Sequence, residues 1–483
     1  MEPLSDDGNN MAEAVAGRFW LPEAPEHEVP GYFRPFRGGI RVELNGELTP
    51  SLREVDRTVQ PDGGVVVSST FADDGPRNSI TVHGRLNDSS EKLTLLRCFT
   101  IHRKVKFFGH ADDEQHLRAM YAVRGAHITG VDEQFTAFRV RFQHLDVWAG
   151  LGGFEWGPAG SEKKLIYREF ELPSVDLASG GLITLDQDIK ASHPTTRGGD
   201  IRRTIWFSLS AIDMTWQELG RLITTPLASL LTLCTGHQCT PLAYQGQTQA
   251  GEWVQVEVGL APPEADELQS HEVMVKLADI ALDGVARWLN KTEDLGPLPP
   301  VVASAASASA IRIETFLLEL TTVAEGLHSR LFREECRTDP DTAERIKDKV
   351  AAVLQDEDPS HLQAVKGLLQ FFEEPSYPKR IRRLARETAI AVPGITGDTS
   401  KWIKVVNDCR NDFAHRRAGF VSNADLDKYH GVIVSLRWVL AGMLLLQTGI
   451  DPSRLAARVT EDQSFNYFLS QAVEYLPDIY QRT

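Results

Sequence analysis

The 483-residue sequence predicts an α+β protein: an N-terminal β-rich domain of sandwich or jelly-roll type, followed by a C-terminal all-α bundle. Two observations carry that prediction. Short β-rich runs separated by turn signals recur up to about Val258, and beyond Pro262-Pro263 every periodic segment has helical spacing. The chain also exceeds the length at which a single core usually divides, so two or three domains are expected.

The opening, Met1-Glu2-Pro3-Leu4-Ser5-Asp6-Asp7, is acidic and lacks a basic-then-apolar leader, so 1–16 reads as a disordered N-terminus. Residues 17–262 read as the β-rich domain. Strand-like runs fall at 40–44, 64–67, 79–84, 92–96, 138–142, 165–172, 204–209 and 253–258. Asn45-Gly46, Asp62-Gly63-Gly64 and Asp74-Gly75-Pro76 turn the chain between them. One interruption, 215–233, starts with a capping threonine and has helical spacing, with Pro226 expected to kink or restart it. Residues 263–300 read as a helical linker, with a helix over 271–290 and a proline-rich break at Leu295-Gly296-Pro297-Leu298-Pro299-Pro300. The bundle, 301–483, is expected to hold helices over 311–332, 342–354, 361–372, 376–391, 400–413 and 426–448.

With 42% hydrophobic and 24% charged residues the chain has a globular composition. Five scattered cysteines are too few for a disulfide framework and fit a reducing, cytoplasmic setting. A net charge of -16 argues against a general nucleic-acid coat protein. Its distribution is uneven, because residues 376–417 hold ten Lys and Arg against four Asp and Glu. A short basic face on an acidic body suits one phosphate-bearing partner. The apolar run 432–446 carries Arg437 inside it, which costs roughly 2.5–3.5 kcal/mol at a bilayer centre. A helix of the bundle or of a subunit interface is expected there, and no membrane.

The chemistry concentrates at Arg410-Asn411-Asp412-Phe413-Ala414-His415-Arg416-Arg417. An imidazole moves protons near neutral pH, and a guanidinium holds a phosphate while charge builds on it. These are the parts of a ribonuclease that works without metal. Asn411 and His415 are four apart on a helix, so the amide can orient the ring. Arg410 and His415 are five apart, roughly 140° around the axis. Two copies meeting across a two-fold axis would bring both groups into one cleft, so a homodimer or higher even-numbered oligomer through the bundle is expected. The competing reading is a solvated helix end whose cations sit on a C-terminal dipole.

Other features are weaker. Cys234, His237 and Cys239 offer three zinc-ligand types without a fourth, and a buried thiol pair is the favoured reading. No GxxxxGK[ST] loop or strand-linked GxGxxG is present, so nucleotide hydrolysis is not expected, nor any cofactor or catalytic metal.

The Arg410, Asn411 and His415 pattern near the end of a helical bundle resembles the signature of the HEPN superfamily of ribonucleases. The helix Phe316-Leu317-Leu318-Glu319-Leu320-Thr321-Thr322-Val323-Ala324-Glu325-Gly326-Leu327-His328 is similar to the first long helix of its ApeA-like branch. Gly17-Arg18-Phe19-Trp20-Leu21-Pro22, then Val29-Pro30-Gly31 and Ile40-Arg41-Val42-Glu43-Leu44-Asn45-Gly46, resembles the opening of the β-rich domain that precedes it. The resemblance implies an antiphage-defence endoribonuclease acting on RNA, with tRNA one candidate substrate, by attack of the ribose 2′-OH. Arg410, Asn411 and His415 would be catalytic. Arg416, Arg417, Lys404, Arg382 and Arg383 would bind RNA, and Glu325 and Asp412 would support the site. The β domain would restrain the bundle or sense a phage trigger. The alternative is a HEPN protein that grips RNA or a partner without cutting it.

Overall fold

A computed structural model describes residues 12–48, 52–59, 65–71, 79–104, 113–156, 165–170, 172–191, 201–260, 262, 268–304, 312–414 and 423–481. The chain divides into two compact units. One comprises 1–145, 169–224 and 240–266; the other comprises 146–168, 225–239 and 267–483.

The first unit is built from antiparallel strands: β1 (Val15–Leu21), β2 (Ala24–Phe36), β3 (Gly39–Asn45), β4 (Leu52–Val59), β5 (Val65–Phe71), β6 (Ile80–Leu86), β7 (Lys92–Lys104), β8 (Glu114–Ala119), β9 (Tyr121–Arg124) and β10 (Gln134–Phe142). The chain then passes through helix α1 (Leu145–Ala149) and the paired β11 (Phe154–Trp156) and β12 (Leu165–Tyr167), which from Asp146 onward are counted with the second unit, before β13 (Val175–Asp176), β14 (Leu182–Ala191), β15 (Ile201–Thr215), β16 (Pro241–Thr248) and β17 (Trp253–Glu257) complete the first. The β-rich expectation holds, and the topology is a closed barrel running on into a sheet. Strands β1, β2, β3, β8, β7 and β6 pair in a ring, while β9 leads from β7 into β17, β16, β10, β15, β14 and β13.

β7 makes both arrangements possible. Its first half pairs with β9 and its second half with β8, and the change of partner falls beside Arg97, whose φ is 52°. A left-handed residue inserted in a ladder bends the strand and increases its twist, which is how one strand serves two neighbours. Alternate side chains then meet inside the ring, where Phe19, Phe33, Val42, Leu95 and Leu117 are buried together. The N-terminal boundary differs from the expected 1–16, since β1 starts at Val15. The Ala12 N–H already donates to the Pro35 carbonyl at 3.0 Å, which ties this segment to β2.

Thr215 ends β15 and caps α2 (Trp216–Leu219) as expected, in a reciprocal box with Glu218. A π-turn (Gly220–Thr224) follows, and α3 (Thr225–Thr235) restarts the helix with Pro226 in its first turn.

The second unit holds α3 and then α4 (Leu277–Asn290), α5 (Thr292–Leu295), α6 (Leu298–Ser304), α7 (Ile313–Leu331), α8 (Pro340–Val353), α9 (Pro359–Leu369), α10 (Tyr377–Ala389), α11 (Thr399–Ala414), α12 (Asn423–Leu446), α13 (Pro452–Glu461) and α14 (Gln463–Tyr475). The helix expected over 271–290 begins only at Leu277, because the Val275 N–H is committed to the Cys234 carbonyl. Asp-Pro starts recur: Asp339, Asp358 and Asp451 each accept backbone N–H bonds while proline takes the first helical position.

The apolar run is the unit's central helix, α12, packed against α7, α10 and α14. It is long and apolar enough to cross a membrane by length and composition, yet 72% of that window is buried within the protein. At Gly442 a Cβ would meet Val392 and Thr388 side-chain atoms at 2.7 and 2.8 Å, so glycine is what lets α10 and α12 approach.

Candidate active site

α11 is fixed before it reaches the candidate residues. Asp398 accepts the N–H groups of Ser400 and Lys401 at 3.0 and 3.1 Å and starts the helix. Trp402, Val406 and Cys409 are buried on one face, and the Trp402 indole donates to the Ser435 hydroxyl of α12 at 2.9 Å. Phe413 meets Tyr429 edge-on at 4.7 Å, which registers the last turn against α12. Burial pushes the Cys409 thiol up to about 12, so it is no nucleophile near neutral pH.

This register delivers Arg410 to the meeting point of three helices. Its guanidinium donates to Glu325 of α7 at 2.8 Å and lies over the Tyr377 ring of α10, 4.3 Å from the centroid. Burial raises the Tyr377 phenol well above its ordinary value, against the pull of Arg410, so the ring stays neutral and offers an electron-rich face. The Arg410 and Glu325 side chains remain 31% and 36% exposed. A pair this open contributes about 0–1 kcal/mol to stability. Its consequence is therefore orientation: one edge of the guanidinium is held by a carboxylate and one face by a ring, while part of it still meets solvent.

Asn411 and Asp412 are half-buried on the same turn. His415, Arg416 and Arg417 follow α11 directly and lie outside the described residues, as does the distance from Arg410 to His415. His328, three residues beyond Glu325, is directed elsewhere. It is fully buried, with Nε2 3.0 Å from Glu335 and its ring 5.2 Å from Phe332. Burial lowers its pKa against the opposing pull of Glu335, which makes it a neutral core histidine.

The basic run over 376–417 is partly spent inside the fold. Arg380 is buried and donates to the Pro375 carbonyl, Ser329 and Glu374. Arg383 pairs with Glu387 at 3.2 Å and covers the Phe332 ring at 4.6 Å. Arg382 and Lys404 are exposed, with no hydrogen bond or ion pair among the described residues.

Cys234, His237 and Cys239 wrap the end of α3. Burial pushes both thiols up, Cys239 to about 11, and His237 Nδ1 bonds to the Thr235 carbonyl at 2.9 Å. Among the described residues no group of three His, Cys, Asp or Glu side chains is placed to hold a metal.

Sequence reasoning missed Tyr377. An aromatic residue opening a basic helix, at Tyr377-Pro378, is the signal that was there to use.

The chain matches two family models: ApeA N-terminal domain 1 over residues 14–250 and Apea-like HEPN over residues 318–454. No curated protein and no solved structure matches it. The first model spans the barrel and most of the sheet, and the second contains Glu325, Tyr377 and Arg410 together with the complete Arg410, Asn411 and His415 pattern. With both domains matched in order along most of its length, the chain belongs to the ApeA-like HEPN family.

Proposed function

We propose that this protein is an antiphage-defence endoribonuclease that cuts RNA without a metal ion. The observation that carries the reading is the oriented Arg410, held by Glu325 and Tyr377 at the end of α11, five positions before His415. In this scheme His415 removes the ribose 2′-OH proton or protonates the leaving 5′-oxygen. Arg410 stabilises the phosphorane-like charge, and Asn411, one helical turn before His415, orients it. Arg382 and Lys404, exposed and without a hydrogen bond or ion pair among the described residues, receive the RNA backbone with Arg416 and Arg417. Arg383, already paired with Glu387, contributes less. A homodimer across the bundle supplies a second copy of each group, and the N-terminal domain restrains the bundle in the cytoplasm until a phage trigger is sensed.

Attack by the 2′-OH requires RNA, leaves a 2′,3′-cyclic phosphate and a 5′-OH, and spares DNA. Incubation of the purified protein with total tRNA, with and without EDTA, is expected to give the same cleavage and these ends. His415→Ala is expected to give none. Cleavage abolished by EDTA, or 5′-phosphate ends, overturns the mechanism. Binding of tRNA without cleavage under every condition favours the gripping alternative.

A further inference from the structure

The helical unit contains a second site built from groups that the ribonuclease reading does not use. A cavity of about 460 Å³ lies between the end of α3, the turn before α4, and helices α6, α12 and α14. Small-molecule sites typically have volumes of this order, and they combine apolar and aromatic walls with a few convergent polar groups. Its wall includes Arg437, Trp438, Asp462, Tyr467, His430 and Tyr475.

The charges in this wall are unevenly engaged. Asp462 caps α14, its carboxylate accepting the Phe465 N–H at 2.8 Å. Glu272, also on the wall, accepts the Gln269 N–H at 2.6 Å. Arg437, by contrast, has no hydrogen bond or ion pair among the described residues, although it projects from the middle of the central helix. Burial works against its charge, and the Asp462 carboxylate on the same wall offsets this in part without bonding to it, so an anion that accepts its N–H groups relieves the remaining cost. His237, His271 and His430 around the same cavity add further donors toward an anion. At the wall Tyr467 is 68% exposed, an unusual position for a large ring. Tyr475 stands edge-on to His430 at 5.3 Å. Exposed aromatic faces are platforms on which a base can stack.

From this combination we infer that the cavity is a binding site for a nucleoside monophosphate, its phosphate on Arg437 and its base against the tyrosines. The site is distinct from the Arg410 cluster. Tyr429, which touches Phe413, is eight residues up α12 from Arg437, about 12 Å along the axis. α12 is the first described element after His415, so the cavity and the candidate active site share one helix. Binding itself does not depend on RNA being cut.

Isothermal titration of the full chain with AMP, GMP, CMP and UMP tests the site, with inorganic phosphate and adenosine as separate probes. At least one monophosphate is expected to bind with a Kd below about 1 mM, more tightly than phosphate or adenosine. Arg437→Met, which keeps the apolar stem, is expected to weaken it at least tenfold, and Arg437→Lys less. Arg410→Ala is expected to leave it unchanged. Thermal unfolding establishes that each variant is folded. Lack of binding by all four monophosphates overturns the inference. So do equal affinity in folded Arg437→Met, and loss of binding in Arg410→Ala. None of these outcomes bears on RNA cleavage, which is read in the absence of added nucleotide.

Discussion

Arg410→Ala is expected to lower the rate of RNA cleavage by about 10²–10³-fold, the range over which a preorganised charge-stabilising group acts. It is expected to change unfolding stability by no more than about 1 kcal/mol, because the Glu325 pair is a third exposed and screened by solvent. The separation between those two numbers is the content of the prediction, since a structural arginine would move them together. Arg410→Lys is expected to recover little. A lysine keeps the charge but has neither the flat face that lies over Tyr377 nor the forked donors that hold Glu325 and a phosphate at once.

Glu325→Gln tests positioning separately. The amide still accepts one hydrogen bond but no longer fixes the guanidinium by charge, so a loss of about tenfold is expected. That loss should fall in kcat rather than KM, because Glu325 acts through Arg410 and not on the RNA. Single-turnover cleavage of end-labelled RNA over a range of protein concentrations up to saturation, beside thermal unfolding of each variant, separates rate from half-saturation for all three variants. Wild-type cleavage by folded Arg410→Ala would remove the guanidinium from the mechanism.

How much of this was legible in the sequence varies with the range of the interaction involved. The bundle helices from α7 to α12 follow from 3.6-residue periodicity, a local property, and their ends fall within a few residues of the expected ones. Helices α13 and α14 were equally local. Asp451-Pro452 and Asp462 are cap signals of the same kind as Asp339-Pro340, and they were legible but unread. Strand β2 was hidden for another reason. It contains Pro25, Pro30 and Pro35, and proline ordinarily argues against a strand inside a sheet. Here Pro30 lies opposite Arg18 and Pro35 opposite Ile40, so a residue without an N–H is accommodated in a barrel strand.

The ring closure through β7 was beyond reach. It depends on a left-handed backbone at Arg97, a residue type that does not announce one. In the candidate site, Arg410 and Asn411 were readable from spacing. Of the partners of Arg410, Glu325, 85 positions away, came only through the family resemblance, and Tyr377, on a third helix, was not read at all. Charge counting also overstated the basic face. A tally of cations cannot tell that Arg380 is buried against Glu374, or that Arg383 lies on Phe332.

Asp279→Ala is expected to destabilise the helical unit by about 2–3 kcal/mol. Asp279 stands in the first turn of α4 with a fully buried side chain. It accepts the Lys276 N–H at 2.8 Å, Arg454 Nε at 2.7 Å and Arg458 Nη2 at 3.0 Å, so one carboxylate joins α4 to α13. Removing one member of a buried ion pair typically costs about 3–5 kcal/mol, because the partner is left charged and unpaired. The arginines here are 51% and 30% exposed and can be rehydrated, which places the expected loss below that range.

The pH dependence has a definite sign. Burial alone would raise the Asp279 pKa, but the Lys276 N–H and the two guanidiniums outweigh it and hold the carboxyl below its ordinary value. A depressed folded-state pKa means that the contribution is complete above the ordinary carboxylate range and is lost as the pH falls toward the folded-state value. Denaturant unfolding followed by far-UV circular dichroism is therefore expected to separate wild type from Asp279→Asn at neutral pH. The gap should narrow steadily on acidification, as the wild-type carboxyl takes up the proton that makes it resemble the amide. A gap that stays constant down to acid pH, or no gap at neutral pH, would show that the carboxylate's charge does not hold α4 and α13 together.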